Sequence, residues 1–355
     1  MTDQDTARGP VVFDGHNDLL LKLHSGKTDI ARVRDGGGPT HIDLPRAVSG
    51  GFGGGLFAIY APDPPERAPD LAKMEGGAYD LGLPGLLDEG EALRATISQA
   101  ALFRELAEAG VIVPCTTAAQ IEAALDAPAM AAVLHLEGAD AIDPEFRVLH
   151  VLHALGLRSL GPVWSRQTRW AEGVPFAFPA DGDTGPGLTE EGRALIRECN
   201  RLRIAVDLSH LNMKGMDDVA AVTDAPLIAT HSNAHALCAH SRNLTDRQLA
   251  MVAESGGVVG LNFAGAFLRD DGKMEADVPL TTMIRQLDHL LEHLGEEGVA
   301  LGSDFDGAVV PEEIGDIGGL PALRGAMRQA GYGEALIAKI CHGNWIGVLR
   351  RTWGQ

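Results

Sequence analysis

Two side chains of the metal-binding type stand two positions apart near the start of the chain. His16 and Asp18 follow the apolar residues 11–13 and the turn residue Gly15. Residues i and i+2 at the end of an extended strand point to the same side, so this imidazole and this carboxylate can bind one cation together. An H-x-D tripeptide is common, and its meaning depends on whether other strands supply further ligands.

Similar side chains follow four later apolar runs. They are Glu137 after residues 132–136, His210 after 204–208, His231 after 227–230, and Asp304 after 299–302. Imidazole nitrogens together with carboxylate oxygens suit one or two Zn²⁺-like ions, and Glu137 could bridge two of them to favour a shared hydroxide nucleophile. Alternatives stay open for each residue alone: a hydrogen-bonded loop histidine, a helix cap at Glu137, or an Asx turn at Asp304.

The elements that would position these ligands are eight short, β-rich apolar runs, each followed by a turn and a helical pattern. They are residues 11–13, 55–60, 132–136, 158–163, 204–208, 227–230, 258–262 and 299–302. Near-continuous apolar strands separated by helices predict a parallel sheet covered on both faces. Eight units are typical of a TIM-type (β/α)8 barrel, with its metal site at the C-terminal strand ends. We therefore expect an α/β fold with one barrel domain over residues 1–355.

Helix signals agree with this α/β pattern. Thr189 is a predicted N-cap because glutamates follow it, and Asp143-Pro144 predicts a helix that begins at the proline. An apolar stripe at helical spacing comprises Ile284, Leu287, Leu290, Leu291 and Leu294. The histidines inside predicted elements are interpreted as packing or surface residues, among them His135, His153, His289 and His293.

Two long segments, residues 61–85 and 176–187, interrupt the regular pattern and are rich in Pro, Gly and Asp. They predict excursions over the mouth of the barrel. Long loops on a rigid barrel often close over a substrate, although plain surface insertions are an equal alternative.

Composition narrows the classes of function. The chain has 355 residues and a formal net charge of -20, which argues against nucleic-acid and anionic membrane partners. Its four cysteines lack C-x-x-C pairing and are expected to be buried and reduced. The polar start, MTDQDTARGP, contains no secretory signal pattern, and no apolar run approaches the length of a membrane span. The expectation is a soluble, cytoplasmic protein.

Six stretches, in order along nearly the whole chain, resemble the renal (membrane) dipeptidase family, the zinc dipeptidases of peptidase family M19 among the amidohydrolase-like barrels. They are Asp14-Gly15-His16-Asn17-Asp18, Glu137-Gly138, Asp207-Leu208-Ser209-His210, Thr230-His231-Ser232-Asn233-Ala234, Ser241-Arg242-Asn243-Leu244 and Gly302-Ser303-Asp304-Phe305-Asp306-Gly307. Asn344-Trp345 also resembles the closing helix of the family. The chain is similar to a bacterial member that lacks the secretion signal and lipid anchor of the animal enzymes.

The resemblance implies two Zn²⁺ ions per subunit. It assigns His16 and Asp18 to one ion, His210 and His231 to the other, and Glu137 to both as the bridge. Two further residues are implied to act on the substrate. Asp304 resembles the catalytic carboxylate beside the bridging hydroxide, and Arg242 resembles the arginine that binds the terminal carboxylate of the substrate. For Arg242 a surface ion pair is the alternative.

One position departs from the family pattern. Where the well-studied animal members carry a histidine after the fourth strand, this chain has Val163-Trp164-Ser165-Arg166. Trp164 can donate an indole hydrogen bond and line an apolar substrate pocket, but it cannot exchange a proton. The departure puts the substrate preference in doubt more than the class of reaction.

The sequence therefore predicts a metallo-dipeptidase that hydrolyses free dipeptides. Whether its substrates include dipeptides with a C-terminal D-residue stays open. A metal-dependent amidohydrolase acting on a lactam, cyclic amide or N-acyl amino acid is the first alternative. A binding protein with a purely structural metal site is the second, and a closed coordination sphere would favour it. The expected partner is a small-molecule dipeptide, and a homo-oligomer, in the simplest case a dimer, is expected because symmetric oligomers are common.

Overall fold

The computed structural model describes residues 9–125 and 127–355. The first eight residues lie outside the described residues. Most of the stretch MTDQDTARGP, which was searched for a secretory signal, belongs to them. The described strands are β1 (Val12–Asn17), β2 (Phe52–Tyr60), β3 (Tyr79–Asp80), β4 (Ile112–Pro114), β5 (Met130–Glu137), β6 (Leu157–Gly161), β7 (Ala177–Phe178), β8 (Ala205–Val206), β9 (Ile228–Ala229), β10 (Val258–Leu261) and β11 (Val299–Leu301).

Helices fill most of the chain between these strands. The α-helices are Leu19–His24, Ile30–Asp35, Leu44–Gly50, Glu89–Glu108, Ala118–Leu125, Arg147–Ala154, Glu190–Leu202, Met213–Val222, Asp246–Glu254, Gly265–Leu268, Leu280–Leu294, Leu320–Gln329, Glu334–Ala338 and Asn344–Trp353. Short 3-10 helices cover Leu71–Glu75 and Ile317–Gly319, and a π-helical turn covers Lys339–Gly343.

Each of the eight predicted runs overlaps one observed strand, namely β1, β2, β5, β6, β8, β9, β10 and β11. Five of them pair in parallel in the order β1-β2-β5-β6-β8, with β4 added beside β5, and β9, β10 and β11 form a second parallel sheet. Isolated parallel bridges, Asn17 to Phe305 and Asp207 to Ile228, link the two sheets at both edges. The prediction of an α/β fold with parallel strands and intervening helices is confirmed.

One apolar cluster holds most of these strands together at the base of the sheets. It takes side chains from β1, β2, β5, β8, β9, β10 and β11 and from the helix Asn344–Trp353. Trp345 is fully buried in it and donates an indole hydrogen bond of 2.8 Å to the carbonyl of Leu301. A Cβ atom at Gly15 would lie 2.6 Å from the Trp345 ring, so this position of β1 must be glycine to leave room for the indole.

The two long loops contact each other through strands that the sequence did not reveal. β3, in the first loop, pairs antiparallel with β7, in the second, and Tyr79 lies opposite Phe178. Two-residue strands carry no periodic pattern, so sequence alone gives no signal for them. The pairing ties the excursions into one cover on the side of the sheets where the strands end.

The predicted helix signals mostly match the observed helix ends. Thr189 caps Glu190–Leu202 by accepting the N–H of Gly192 at 2.9 Å. The start predicted at Pro144 is wrong, because the helix begins at Arg147 after Phe146, whose φ is 59°. Asp143 nevertheless caps this helix, since it accepts the backbone N–H groups of Arg147 and Val148.

The four cysteines are buried and free, as predicted. Within the part of the chain that the structure describes, no helix is long and apolar enough to cross a lipid bilayer.

We expect Trp345→Ala to lower the free energy of unfolding by about 3–5 kcal/mol, because it removes a large buried side chain from the cluster that joins the strands. Trp345→Phe should cost less, about 1–3 kcal/mol, because it mainly leaves the Leu301 carbonyl without its donor. Urea unfolding followed by circular dichroism measures both. Val151→Ala, at a side chain that is 54% exposed, is the control. An unchanged midpoint for Trp345→Ala would contradict the packing role.

Candidate metal centre

Strand ends bring the predicted ligands to one place. His16 lies in β1, Glu137 ends β5, and His210 and His231 follow β8 and β9. The Glu137 Oε1 atom lies 3.0 Å from His210 Nε2, 3.5 Å from His231 Nε2 and 3.6 Å from His16 Nε2. His16 Nε2 also lies 3.5 Å from Asp18 Oδ2. All five side chains are almost completely buried.

Two overlapping groups of potential ligands share His16. One ligand atom from each of His16, Glu137 and His231 lies within 4.8 Å of the others, and the same holds for His16, Asp18 and Asp304. Both ring nitrogens of His16 are buried and have no hydrogen-bond partner among the described residues. Since buried polar atoms normally have partners, the nitrogen that carries the lone pair of the neutral ring is suited to bind a cation.

Hydroxyl groups orient the other two imidazoles. His231 Nδ1 lies 2.8 Å from the hydroxyl oxygen of Thr230, and that hydroxyl donates its own hydrogen to Asp207 at 2.7 Å. The hydroxyl can therefore only accept from Nδ1, which leaves the lone pair of His231 on Nε2, facing Glu137. The Ser165 hydroxyl lies 2.9 Å from Nδ1 of His210 and can orient that ring in the same way.

Asp304 is held beside this group by an unusual backbone conformation. Its φ is 60°, in the left-handed region that a non-glycine residue rarely adopts. Its N–H donates to the carbonyl of His16 at 3.1 Å, and its Oδ2 accepts from the Asn262 amide at 3.0 Å. Asp14 fixes the preceding residue, because it accepts both the N–H and the hydroxyl of Ser303 at 2.7 Å.

Burial dominates the proton affinities in this group. It raises the pKa of Glu137 to about 8, although His16 opposes the rise. Burial also works against a charge on His16, but Glu137 and Asp18 outweigh it and raise the pKa of that imidazole to about 10. For His210 and His231, burial lowers the pKa well below the ordinary value. These two imidazoles are therefore neutral near pH 7, which is the form that binds metal ions.

Arg242 lies behind the histidines. It is 2% exposed, so the alternative of a surface ion pair is wrong. Its guanidinium donates to the carbonyls of Ser209 and His231, and one of its nitrogens lies 3.3 Å from His210 Nε2. Burial lowers the pKa of Arg242 to about 10, so the group stays positively charged next to the ligand cluster.

A cavity of about 290 Å³ opens onto the ligand cluster. Both predicted loops contribute to its wall. Trp164, at the position that departs from the family pattern, contributes as well. The residues around it include Tyr60, Pro62, Asp63, Leu71, Met74, Glu137, Trp164, Phe176, His210, Phe267 and Asp304. The indole of Trp164 packs against Tyr60 and Phe176, with ring centroids 5.1 and 5.4 Å apart, and lies 5.8 Å from the His210 ring.

Arg166 supports this aromatic wall from behind and was not singled out from the sequence. It is fully buried, its guanidinium carbon lies 5.1 Å from the ring centres of Tyr60 and of Trp164, and it donates to the Tyr60 hydroxyl at 2.6 Å. It also lies 3.2 Å from the carboxylate of Asp63, which belongs to the first loop. This ion pair connects the loop to the segment that carries Trp164.

Sequence reasoning missed several supporting residues for different reasons. Asn262 ends one of the predicted strands, so the rule that found the ligands could also have found it. His135 lies inside β5, and its ring meets His16 edge-on at 5.6 Å. Asp63 lies in an irregular loop, and no sequence signal distinguishes it there.

The whole chain matches one protein family. The sequence profile described as membrane dipeptidase, peptidase family M19, covers residues 4–353. An uncharacterized protein in the pqqA 5′ region of Klebsiella pneumoniae is 47% identical over 259 residues, which are 72% of this chain and 96% of the relative. An uncharacterized protein in the PQQ-III 3′ region of Acinetobacter calcoaceticus is 34% identical over 294 residues, 80% of this chain and 90% of that protein.

Solved structures agree with the profile. The metallo peptidase from Rhodobacter sphaeroides, liganded with a phosphinate mimic of the dipeptide L-Ala-D-Ala, is 50% identical with a TM-score of 0.94 over 97% of this chain and 100% of its own. The dipeptidase AC, a metallo peptidase of family M19, is also 50% identical, with a TM-score of 0.94 over 98% and 99% of the two chains. The chain therefore belongs to the membrane dipeptidase family, peptidase family M19, and is a hydrolase of the dipeptidase class.

Proposed function

We propose that this enzyme is a binuclear zinc dipeptidase that cleaves the peptide bond of free dipeptides. The observation that carries the proposal is the carboxylate of Glu137 between three imidazole nitrogens at 3.0–3.6 Å. A carboxylate in that position can bridge two cations, one on the side of His16 and Asp18 and one on the side of His210 and His231. Nitrogen and oxygen donors of this kind suit Zn²⁺.

We also propose that the described sheets form a single (β/α)8 barrel domain over residues 1–355, as the sequence predicts. Support comes from the parallel bridges at Asn17 and Asp207, which lie where the two sheets approach each other. Further support comes from the basal cluster, which takes side chains from strands of both sheets. The proposed metal site would then lie at the C-terminal strand ends, where such barrels carry their active sites.

Asp304 is the proposed catalytic carboxylate. When bound, the two ions would supply Lewis acidity toward the scissile carbonyl and acidify a water molecule. Asp304 lines the cavity and lies within 4.8 Å of potential ligand atoms of His16 and Asp18, so it can accept a proton from the attacking water. It can then deliver the proton to the leaving amine, while its hydrogen bond from Asn262 fixes the carboxylate.

Arg242 is the proposed partner of the terminal carboxylate of the dipeptide, and Trp164 is proposed to line the pocket for a substrate side chain. A buried guanidinium attracts an anion more strongly than an exposed one, because little water screens it. The cavity of about 290 Å³ is at the lower end of ligand pockets, a size that suits a dipeptide. The indole of Trp164 can donate a hydrogen bond but cannot exchange a proton. We therefore assign proton transfer to Asp304.

Dipeptides that end in a D-residue belong to the proposed substrates. The support is the solved Rhodobacter sphaeroides metallo peptidase, 50% identical, which was liganded with a phosphinate mimic of L-Ala-D-Ala. The aromatic wall of Tyr60, Trp164 and Phe176 favours a second candidate, an amidohydrolase in which an indole stacks on a cyclic amide.

A hydrolysis screen with a dipeptide library, including L-Xaa-D-Xaa members, tests the proposed activity on zinc-replete protein. We expect turnover of several dipeptides and none of tripeptides. Arg242→Ala should lower kcat/KM for dipeptides by about 10²-fold or more, because it removes a buried partner of the terminal carboxylate. No turnover of any dipeptide, together with cleavage of lactams that Arg242→Ala leaves intact, would favour the amidohydrolase instead.

We expect Asp304→Asn to keep the bound zinc and to lose about 10²–10⁴-fold in kcat, because an amide accepts no proton from the attacking water. Zinc content by mass spectrometry and dipeptide hydrolysis give the two readings. Asp306→Asn is the matched control, since this neighbouring carboxylate accepts the N–H of His41 at 2.8 Å and an amide oxygen can do the same. A turnover near that of the wild type in Asp304→Asn would refute the assigned role.

His16→Ala should lower the zinc content from two ions toward one per chain, because His16 and Asp18 would hold one ion while His210 and His231 would hold the other. Metal analysis after gel filtration in metal-free buffer measures this loss. His24→Ala removes a partly exposed histidine whose ring nitrogen lies 3.1 Å from the Ser98 hydroxyl, and it should leave the content unchanged. Retention of two ions by His16→Ala would mean that β1 does not supply a ligand.

A further inference from the structure

A second group of metal-binding side chains lies on the outside of the fold, on two adjacent helices. Asp246 is in the first turn of the helix Asp246–Glu254, and His289 and His293 are on the helix Leu280–Leu294. One ligand atom of each lies within 4.8 Å of the other two. The family resemblance assigns these residues no role, and the sequence interpretation treats both histidines as packing or surface residues.

The two imidazoles converge on one carboxylate oxygen. His289 and His293 are four positions apart, so they lie on the same face of their helix, and their ring centres are 4.4 Å apart. The Nε2 atom of His289 lies 2.8 Å from Asp246 Oδ1, and the Nε2 atom of His293 lies 3.7 Å from the same oxygen. Donor atoms of a tetrahedral zinc ion are about 3.3 Å apart, a value between these two distances.

The group is accessible to an ion from solution. The side chains of His289, His293 and Asp246 are 16%, 28% and 50% exposed, so water can complete a coordination sphere. Arg247, next to Asp246, pairs with Asp217 at 2.7 Å. Arg285, one turn before His289, lines a cleft to which none of the three ligand residues contributes.

We propose that Asp246, His289 and His293 form a binding site for one borderline divalent cation of the Zn²⁺ class, separate from the catalytic centre. Two imidazoles and one carboxylate select Zn²⁺, Ni²⁺ or Cu²⁺ over Mg²⁺ and Ca²⁺, which prefer oxygen ligands. The i, i+4 histidines need no backbone movement to chelate, because the helix already aligns them. The proposal does not depend on the function proposed for the cavity.

Such an ion would join two helices that flank the active-site segment. The helix Asp246–Glu254 begins four residues after Arg242. On the other helix, Gln286 accepts the N–H of Ala234, which lies three residues after His231, at 2.9 Å. The ion would brace this segment from outside, and it would stabilise the native protein because the unfolded chain lacks the arrangement.

Equilibrium dialysis against Zn²⁺, followed by metal analysis, tests the site on the full-length enzyme. We expect the wild type to bind one more equivalent of zinc than the double variant His289→Ala/His293→Ala. The single variant His293→Ala should bind this equivalent on the order of tenfold more weakly or worse, since one ligand is lost. His150→Ala is the matched control. It removes an exposed histidine that also pairs with a carboxylate, Glu198 at 2.5 Å, but whose ring nitrogen lies 3.3 Å from the cation Arg201, which opposes a bound metal ion.

Equal zinc binding by the wild type and the double variant would overturn the proposal and leave the group as a simple hydrogen bond between helices. Circular dichroism and gel filtration of the double variant show whether it is folded. If the double variant does not fold, Asp246→Asn is measured in its place. Binding of as much zinc by Asp246→Asn as by the wild type would equally overturn the proposed site. A zinc-induced rise of the Tm in the wild type, absent in the variants, is the expected second reading.

Discussion

The arrangement of side chains at the ends of the strands depends on one buried carboxylate, that of Glu137. Three imidazole nitrogens surround one of its oxygens at 3.0–3.6 Å, and a further carboxylate lies 3.5 Å from one of these imidazoles. Burying so many ionisable groups together is costly unless charges are paired. Divalent cations would remove that cost, because they favour the ionised carboxylates and the neutral imidazoles at once. A metal ion bound here would then contribute to the stability of the fold as well as to its chemistry.

Two other buried aspartates hold the edges at which the parallel sheets meet. Asp14 of β1 accepts two hydrogen bonds from Ser303, and Asp207 accepts two from Thr230, at 2.7–2.8 Å. These contacts accompany the isolated bridges between the sheets. Potential ligands follow directly at both edges, so the hydrogen bonds that join the sheets also set the separation of the metal-binding side chains. Asp14 and Asp207 are 0% and 3% exposed, so little solvent reaches these junctions, and burial raises the pKa of Asp14 to about 7.

Sequence reasoning predicted eight of the described strands, and it predicted that the candidate ligands lie together, because both follow from local rules. A strand end is visible as an apolar run, and the residue after it must lie at the edge of the sheet where the other strand ends lie. Contacts between distant loops follow no such rule. The pairing of β3 with β7 and the ion pair of Arg166 with Asp63 bring together residues about a hundred positions apart. Phe146 shows the same limit, since its left-handed backbone and its stacking on Trp170 displaced a helix start that the local sequence placed at Pro144.

Trp164 contributes shape rather than proton transfer to the cavity. An indole cannot exchange a proton, but it presents a wide apolar face, and Arg166 holds that face from behind through its contacts with Tyr60 and Asp63. These contacts fix the orientation of the Tyr60 and Trp164 rings. Because the aromatic wall and the carboxylates and imidazoles at the strand ends are separate sets of side chains, the shape of the cavity can change without moving the groups proposed to bind metal.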